Sequence, residues 1–170
     1  MQIKFCAKKD IADLIEVSTQ SYIEHYTYLW LDNGENYIKS NFNYEKFEDE
    51  ISNSNSALFL IPDGQKFVGL IKLNIDSAAN GFSAEQALEL ERIYFIKEAS
   101  GKGFGKDAVT YVANFAKQRN KKIVWLKAIS SSPAIEFYKK LGFVIIAETN
   151  LNYPGIRDEF KKMYLMQLNL

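Results

Sequence analysis

The segment GKGFGK, residues 101–106, places three glycines and two lysines in six consecutive positions. It follows LELERIYFI (88–96), which predicts a strand, and it opens FGKDAVTYVANFAKQRN (104–120), whose apolar residues recur at helical spacing. Glycines let a backbone approach a ligand closely, and the free N–H groups at a helix start attract anions. Lys102 and Lys106 add positive charge, with Lys121 or Lys122 as further candidates. The segment therefore predicts a phosphate-binding turn.

Two common phosphate-binding patterns do not fit this turn. A dinucleotide fingerprint needs a third glycine where the chain has Lys106, and an acidic residue about 20 positions on, where the chain is basic. A Walker loop needs glycine at position 100 and Ser or Thr at 107, where the chain has Ser100 and Asp107. One alternative without a ligand stays open, in which the glycines only permit tight helix–strand packing.

Composition sets the broad class of the protein. The 170 residues fit one domain, 1–170, and a chain that is 47% hydrophobic and 25% charged is typical of a soluble globular protein. Its net charge of +0 argues against a nucleic-acid partner. No apolar run approaches the roughly 20 residues of a membrane span, and no leader is evident, so we expect no membrane partner and a cytoplasmic location. No Cys/His cluster predicts a metal site.

The hydrophobic periods predict an α/β protein. The predicted strands are 3–7, 57–61, 66–75, 88–96, 122–128, 143–148 and 160–170, and the predicted helices are 11–26, 36–52, 104–120 and 130–143. The order β-α-α-β-β-β-α-β-α-β-β predicts a mixed sheet whose first part is antiparallel. The strand–helix–strand unit over 88–127 is a crossover, so its two strands should be parallel.

Two motifs in fixed order resemble the Gcn5-related N-acetyltransferase (GNAT) superfamily. They are ERIYFIKEASGKGFGKDAV (91–109) and SSPAIEFYKKLGF (131–143). Gly103 and Gly105 match the family pattern [Q/R]-x-x-G-x-[G/A], whereas Ser100 replaces its Gln or Arg and Ser131 stands near an expected asparagine. The resemblance implies the GNAT fold, with about seven strands and about four helices, and acetyl-CoA as co-substrate without a metal.

The same resemblance implies where the co-substrate binds. The backbone N–H of Phe95 is the expected carbonyl-polarising donor, with Ile96 close by. The other expected contacts surround the glycine turn or lie near the second motif: Ser100, Gly101, Lys102, Gly103, Phe104, Gly105, Lys106 and Ser131.

Acetyl transfer to an amine requires a base, and strand 88–96 offers two carboxylates. Strand alternation places Glu89, Glu91, Ile93 and Phe95 on one face. Proximity and partial burial of two carboxylates would raise at least one pKa, which suits a general base. Counting back from the glycines, Glu89 lies where relatives with a glutamate base carry it, and Glu91 is the second choice. The alternative is that both are structural partners of Arg92 or nearby lysines.

Tyr138 matches the family tyrosine in A-x-x-F-Y, which implies that its phenol protonates the departing thiolate. The alternative is a packed tyrosine with a satisfied hydroxyl. Tyr22 and Tyr26 are candidates to line the acceptor pocket, although aromatic residues near a helix end are more often core.

The chain more narrowly resembles the PaiA-type bacterial polyamine N-acetyltransferases, through LERIYF, VWLKA, IEFYKKLGFV and YLMQLNL. This resemblance implies a small-molecule amine acceptor such as spermidine or spermine. The acidic stretch 32–50 would attract a polycation if it lines the cleft. A protein N-terminus, a lysine or another small amine stays open as acceptor, as does a non-catalytic acyl-CoA-binding module. Homodimers are frequent among relatives, so a homodimer also stays open.

Overall fold

A computed structural model describes residues 3–170 as a seven-stranded sheet with five α-helices. The strands are β1 (Lys4–Phe5), β2 (Ser56–Asp63), β3 (Lys66–Asn74), β4 (Ala87–Phe95), β5 (Ile123–Ile129), β6 (Val144–Asn150) and β7 (Lys162–Asn169). The helices are α1 (Ile11–His25), α2 (Glu35–Asn41), α3 (Tyr44–Ser52), α4 (Phe104–Lys117) and α5 (Ala134–Lys140). The predicted α/β class and mixed sheet are confirmed.

The strand order is β1-β2-β3-β4-β5-β7-β6, and every neighbouring pair is antiparallel except β4–β5. The parallel pair is joined by the crossover through α4, as the sequence predicts. Its pairing is short: Ala87, Leu88 and Glu89 face Ile123, Val124 and Trp125, and neither strand pairs with the other beyond that point. Both strands nevertheless continue, so the sheet opens between them.

Each face of the sheet is covered by helices because its strands are apolar on both sides. On one face, α4 and α5 pack through residues such as Val112 and Ile135. On the other face, α1 and α3 pack through residues such as Leu14 and Phe47. No helix within residues 3–170 is both long enough and apolar enough to cross a membrane.

The single helix predicted over 36–52 is wrong, because two helices occupy this segment. Phe42 ends α2 and is buried, and Asn43 then adopts extended backbone with φ −130°. The Asn43 side chain accepts a hydrogen bond from the Lys46 N–H at 2.9 Å, which caps the start of α3. An asparagine cap thus interrupts an apolar period that otherwise reads as continuous.

Gly69 on β3 lies opposite Phe95 on β4 and leaves room for its ring. A Cβ at position 69 would lie 2.5 Å from Phe95 Cδ1 and 2.8 Å from the Tyr94 carbonyl oxygen. Because one of these atoms belongs to the backbone, a rotamer change alone cannot relieve the clash. Gly69 therefore fixes the end of β4 just before the glycine turn.

We predict that Gly69→Ala destabilises the protein by about 1–3 kcal/mol, because overpacking forces the two strands apart. The measurement is the free energy of unfolding in urea. Gly81→Ala is the control, since a Cβ at position 81 would meet no atom within 4 Å and only the φ of 80° is unfavourable there. An equal loss of unfolding free energy in Gly69→Ala and Gly81→Ala would contradict the prediction.

Candidate active site

The divergence of β4 and β5 opens a cavity of about 360 Å³. Its floor comes from the unpaired parts of both strands, and its walls come from the end of α1, from α2 and from the start of α5. Backbone groups on the facing edges of β4 and β5 lack a neighbouring strand here. The cavity thus combines backbone groups of the strand edges with lining residues from α1, α2, α3, α5, β4, β5 and β7.

A β-bulge changes the face on which the β4 side chains lie. Lys72 pairs with Arg92, but the next residue, Leu73, pairs with Leu90, so Glu91 is the extra residue. Ile93 and Phe95 consequently pack on the core below α4 and α5, away from Glu89. The expectation that all four side chains share one face is therefore wrong, although Glu89 and Glu91 still come together.

Glu89 lines the cavity and is held by hydrogen bonds. Its Oε2 accepts from Asn74 Nδ2 at 2.8 Å and from Ser77 Oγ at 3.2 Å, and Lys127 Nζ lies 4.0 Å from its Oε1. Its side chain is 13% exposed. Glu89 is thus a fixed, nearly buried carboxylate at the point where the two strands part.

Glu91 belongs to a cluster of charged groups next to Glu89. Lys72 Nζ lies 2.7 Å from Glu91 Oε2, and Arg92 Nε lies 3.2 Å from Glu91 Oε1. Both cations also contact the buried Glu50 of α3. Burial acts to raise the pKa of Glu91, but the charges of Arg92 and Lys72 and hydrogen bonds from Lys72 and Asn74 outweigh it, so this pKa is lowered. The expected upward shift does not hold for Glu91, which makes it the weaker candidate for a base.

Tyr138 of α5 lines the same cavity and is 7% exposed. Burial raises the pKa of Tyr138, so the phenol keeps its proton at neutral pH. The structure thus brings Tyr138 and Glu89 to one cavity, as required if one residue donates a proton and the other accepts one.

Aromatic side chains form most of the opposite wall. Tyr22 and Tyr26, the two candidates named from the sequence, both line the cavity, and Tyr22 is also part of the buried core. Sequence reasoning missed Trp30, Tyr37 and Tyr94, which complete the wall. Tyr37 stacks on Tyr22 at 4.6 Å and on Trp30 at 4.9 Å between ring centroids, and the Trp30 indole N–H donates to the Tyr22 hydroxyl at 2.9 Å. The density of aromatic residues between 22 and 37 was the available signal.

These tyrosines contribute rings and neutral hydroxyls rather than charge. Burial raises the pKa of Tyr26 to about 12, and burial also raises the pKa of Tyr22. The negative charges that line the cavity therefore belong to Glu89 and Glu91.

The acidic stretch 32–50 contributes no carboxylate to the cavity lining. Its lining residues are Tyr37, Asn41 and Lys46. Glu50 is buried among cations, and Asp32 accepts backbone hydrogen bonds from Gly34 and Asn36. The condition of the hypothesis, that acidic side chains of this stretch line the cleft, is therefore not met.

The glycine turn has the geometry of an anion site. Gly101 and Gly103 have φ values of 76° and 83°, which favour glycine, and Gly103 directly precedes α4. The first backbone bond into the helix runs from the Asp107 N–H to the Gly103 carbonyl at 3.2 Å. The N–H groups of residues 103–106 donate to no group among residues 3–170. They are the free donors of a helix start, where an anion binds favourably.

Gly105 also has a packing role. A Cβ there would lie 3.2 Å from Phe137 Cζ, so the alternative of tight helix packing applies to this glycine. At Gly101 and Gly103 a Cβ would meet nothing within 4 Å, so packing does not require glycine there. Phe104 stacks against Phe95 with ring centroids 6.4 Å apart.

The lysines and serines predicted to contact the co-substrate lie in different surroundings. Lys106 and Ser100 are exposed at the turn, but Lys102 Nζ lies 2.9 Å from Asp63 Oδ2 on the β2–β3 hairpin. Lys121 is buried and contacts Asp76, so it is not free to reach the turn. Ser131 is exposed, whereas its neighbour Ser132, which sequence reasoning did not select, lines the cavity.

The backbone N–H groups of Phe95 and Ile96, the two donors predicted at the end of β4, point in different directions. The Ile96 N–H donates to the Val68 carbonyl at 3.0 Å and is therefore engaged. Because successive residues of a strand point their N–H groups to opposite edges, the Phe95 N–H faces away from β3 and toward the opening. The Ile96 N–H is thus occupied by β3, whereas β3 does not use the Phe95 N–H.

Within residues 3–170, no group of three or more His, Cys, Asp or Glu side chains is arranged to hold a metal ion. His25 ends α1 beside Tyr26 and is not among the cavity-lining residues.

The family model and the curated relative that match this chain both describe acetyltransferases. The family model described as "Acetyltransferase (GNAT) family" matches residues 20–143. An uncharacterized N-acetyltransferase from Lactobacillus delbrueckii subsp. lactis is 24% identical over 147 residues, which cover 84% of this chain and 83% of that protein.

Solved structures share the whole fold. PaiA N-acetyltransferase from Thermoplasma acidophilum, in complex with coenzyme A, has a TM-score of 0.78 at 22% identity, with 100% of both chains covered. A variant of the spermidine N-acetyltransferase SpeG from Vibrio cholerae has a TM-score of 0.72 at 18% identity, covering 99% of this chain and 92% of that chain. At these identities, the likeness to each structure is evidence for the fold.

The lowered pKa of Glu91 predicts a pH dependence of stability. A carboxylate whose folded pKa lies below its ordinary value of 4.5 stabilises the fold above that pH, and the contribution is lost as the pH falls through the folded pKa. We therefore expect the free energy of unfolding to fall more steeply between about pH 6 and about pH 3 in the native protein than in Glu91→Gln. Urea unfolding at a series of pH values measures the slope for each protein. Parallel curves for the native protein and Glu91→Gln would refute the lowered pKa of Glu91.

Proposed function

The chain belongs to the acetyltransferase (GNAT) family, and from that premise we propose that it transfers the acetyl group of acetyl-CoA to a primary amine of a small polyamine. The acetyl-CoA-dependent N-acetyltransferase activity follows from the family. The observation that carries the finer proposal is the pair of carboxylates, Glu89 and Glu91, facing an aromatic wall where β4 and β5 part.

The residues present fit acetyl-CoA, which supplies an acetyl thioester when bound. The free N–H groups of residues 103–106 and the positive end of the α4 dipole suit its diphosphate. Lys106 is exposed beside them, and Gly101 and Gly103 leave the backbone open to close approach. The Phe95 N–H, directed into the opening, suits the thioester carbonyl.

Glu89 is proposed to take the proton that the acceptor amine must lose before it attacks the thioester. A primary amine is protonated at neutral pH, so a nucleophilic nitrogen requires a base in the cavity. Glu89 lines the cavity and is nearly buried, and its carboxylate is held by Asn74 and Ser77. The proton passes to it directly or through one water, and attack is then direct, without an acetylated side chain.

Tyr138 is proposed to give its proton to the departing thiolate. Its phenol is neutral, it lines the cavity, and it comes from the helix that follows β5. The retention of its proton at neutral pH, which burial enforces, is what a proton donor needs.

The polyamine assignment rests on cation recognition. Aromatic faces and carboxylates both attract ammonium groups, and the cavity offers Tyr22, Tyr37 and Trp30 opposite the two glutamates. The structural neighbours include a named spermidine N-acetyltransferase, which supports this acceptor class. A protein N-terminus, a lysine or another small amine is the second candidate within the same chemistry, and a non-catalytic acyl-CoA-binding module is the rival from another class.

We further propose that residues 1–170 act as one domain in the cytoplasm, where acetyl-CoA is available. A homodimer stays a prediction.

The two proton-transfer roles predict distinct losses. Glu89→Gln should lower kcat for acetyl transfer about 10²-fold or more with little change in acetyl-CoA affinity, since general bases contribute about 10²–10⁴-fold. Tyr138→Phe should lower kcat by a similar factor. Steady-state kinetics and calorimetry with acetyl-CoA measure the two quantities. Glu85→Gln, which changes an exposed carboxylate just before β4, is the control; full activity in Glu89→Gln would remove the base assignment.

An amine panel tests the acceptor class. We expect acetylation of spermidine and spermine with kcat/KM at least about tenfold above that of monoamines, because a second ammonium group meets Glu91 and the aromatic wall. Mass spectrometry of the products identifies the acetylated nitrogen. Turnover of a peptide amine with inert polyamines would select the second candidate, and tight acetyl-CoA binding without turnover of any amine would select the non-catalytic module.

A further inference from the structure

We propose that Asn74 is a positioning residue that holds the Glu89 carboxylate facing the cavity by binding Glu89 and Glu91 with one amide group. This inference rests on the proposed role of Glu89 as base. Asn74 is the last residue of β3 and pairs with Glu89 across the β3–β4 ladder.

The amide geometry supports a bridge between two carboxylates. Asn74 Nδ2 lies 2.8 Å from Glu89 Oε2 and 2.8 Å from Glu91 Oε2. Ionised carboxylates only accept hydrogen bonds, so the nitrogen end of the amide, with its two hydrogens, must face them. Both hydrogens of one group are thereby used, one for each glutamate.

The bulge lies next to the bridge. Strand alternation already places Glu89 and Glu91 on one face of β4, and the register shift between Lys72 and Leu73 of β3 makes Glu91 the extra residue of the strand. Asn74, which pairs with Glu89, contacts both carboxylates from β3. Two like charges therefore meet at a single neutral donor.

Glu91 has more cations close to its carboxylate than Glu89 has. Glu91 has Lys72 at 2.7 Å and Arg92 at 3.2 Å, and both cations are shared with Glu50 of α3, which Lys46 also approaches at 3.8 Å. The nearest cation to Glu89 is Lys127 of β5, at 4.0 Å. The hydrogen-bond donors to Glu89 are Asn74 and Ser77.

Loss of the bridge should therefore affect Glu89 more than Glu91. Glu91 keeps two close cations, whereas Glu89 keeps Ser77 and a distant lysine beside an adjacent negative charge. Like-charge proximity favours protonation of one carboxylate, and a protonated Glu89 cannot accept the proton of the amine.

The test is the isosteric variant Asn74→Asp, which keeps the shape and replaces the donor with a third carboxylate. We expect the acid limb of its kcat/KM pH profile to move up by about one pH unit, which lowers kcat/KM about tenfold at pH values below the limb. Asn74→Leu, which removes the donor without adding charge, should move the limb less. A role limited to filling space predicts the reverse order, with Asp tolerated and Leu harmful, and that order would overturn the proposal.

Two further variants separate positioning from general damage. In a Glu91→Gln background, the shift caused by Asn74→Leu should shrink by more than half, because the repulsion it exposes is gone. Asn55→Asp is the matched control, because the side chain of Asn55 bonds the backbone of Asp76 just beyond β3, donating from Nδ2 to the carbonyl at 3.0 Å and accepting at Oδ1 from the N–H at 2.7 Å. It should leave the acid limb in place. Equal shifts in both Glu91 backgrounds, or an equal shift in Asn55→Asp, would count against the bridge.

Failure of this inference is distinguishable from failure of the proposed function. If Glu89→Gln abolishes turnover while Asn74→Asp leaves kcat/KM and the acid limb unchanged, Glu89 is the base and the bridge is irrelevant. If Glu89→Gln is fully active, the base assignment itself fails. Thermal unfolding of each variant in the presence of acetyl-CoA confirms that the folded, co-substrate-bound protein is being compared.

Discussion

The separation of β4 from β5 is the constraint on which the rest of the structure depends. A parallel pair within a sheet normally satisfies the backbone groups on both facing edges, but here only three residue pairs do so. The remaining edges need other partners, because unpaired buried N–H and C=O groups are unfavourable. The crossover also places the start of α4 beyond the end of β4, so the free N–H groups of a helix start follow the strand in the chain.

The charged network around the bulge links this opening to the outer helices. Glu50 extends from α3 to Arg92 and Lys72, these contact Glu91, and Asn74 connects Glu91 to Glu89. Each carboxylate in the series has at least one donor within 3.2 Å. Burial of so many charges is tolerated because the members are paired, and such networks favour a single arrangement of the groups they contain. Helix α3, which contributes Lys46 to the cavity lining, is thus linked to the carboxylates at the cavity floor.

Local patterns predicted the fold class, the parallel crossover and the glycine turn before α4, because hydrophobic period and glycine placement act over short distances. Features that depend on distant residues were not predictable in the same way. The bulge at Glu91 is set by the register of β3 against β4, and the partner of Lys102 is Asp63 on a separate hairpin. The break at Asn43 was visible as a capping residue, but the apolar period on both sides obscured it. Ser132 and Tyr94 face the cavity for reasons of tertiary packing alone.

The chain has two tryptophans, and they lie at different places around the opening. Trp30 lines the cavity and stacks on Tyr37, whereas Trp125 does not line it and pairs with Glu89 across the last β4–β5 contact, with Lys127 Nζ 5.3 Å from its ring centroid. Indole emission responds to nearby charge and to water, and no other tryptophan contributes a background. The intrinsic fluorescence of the unlabelled protein is therefore a built-in optical readout of charge and hydration around Trp30 and around the Glu89 pair.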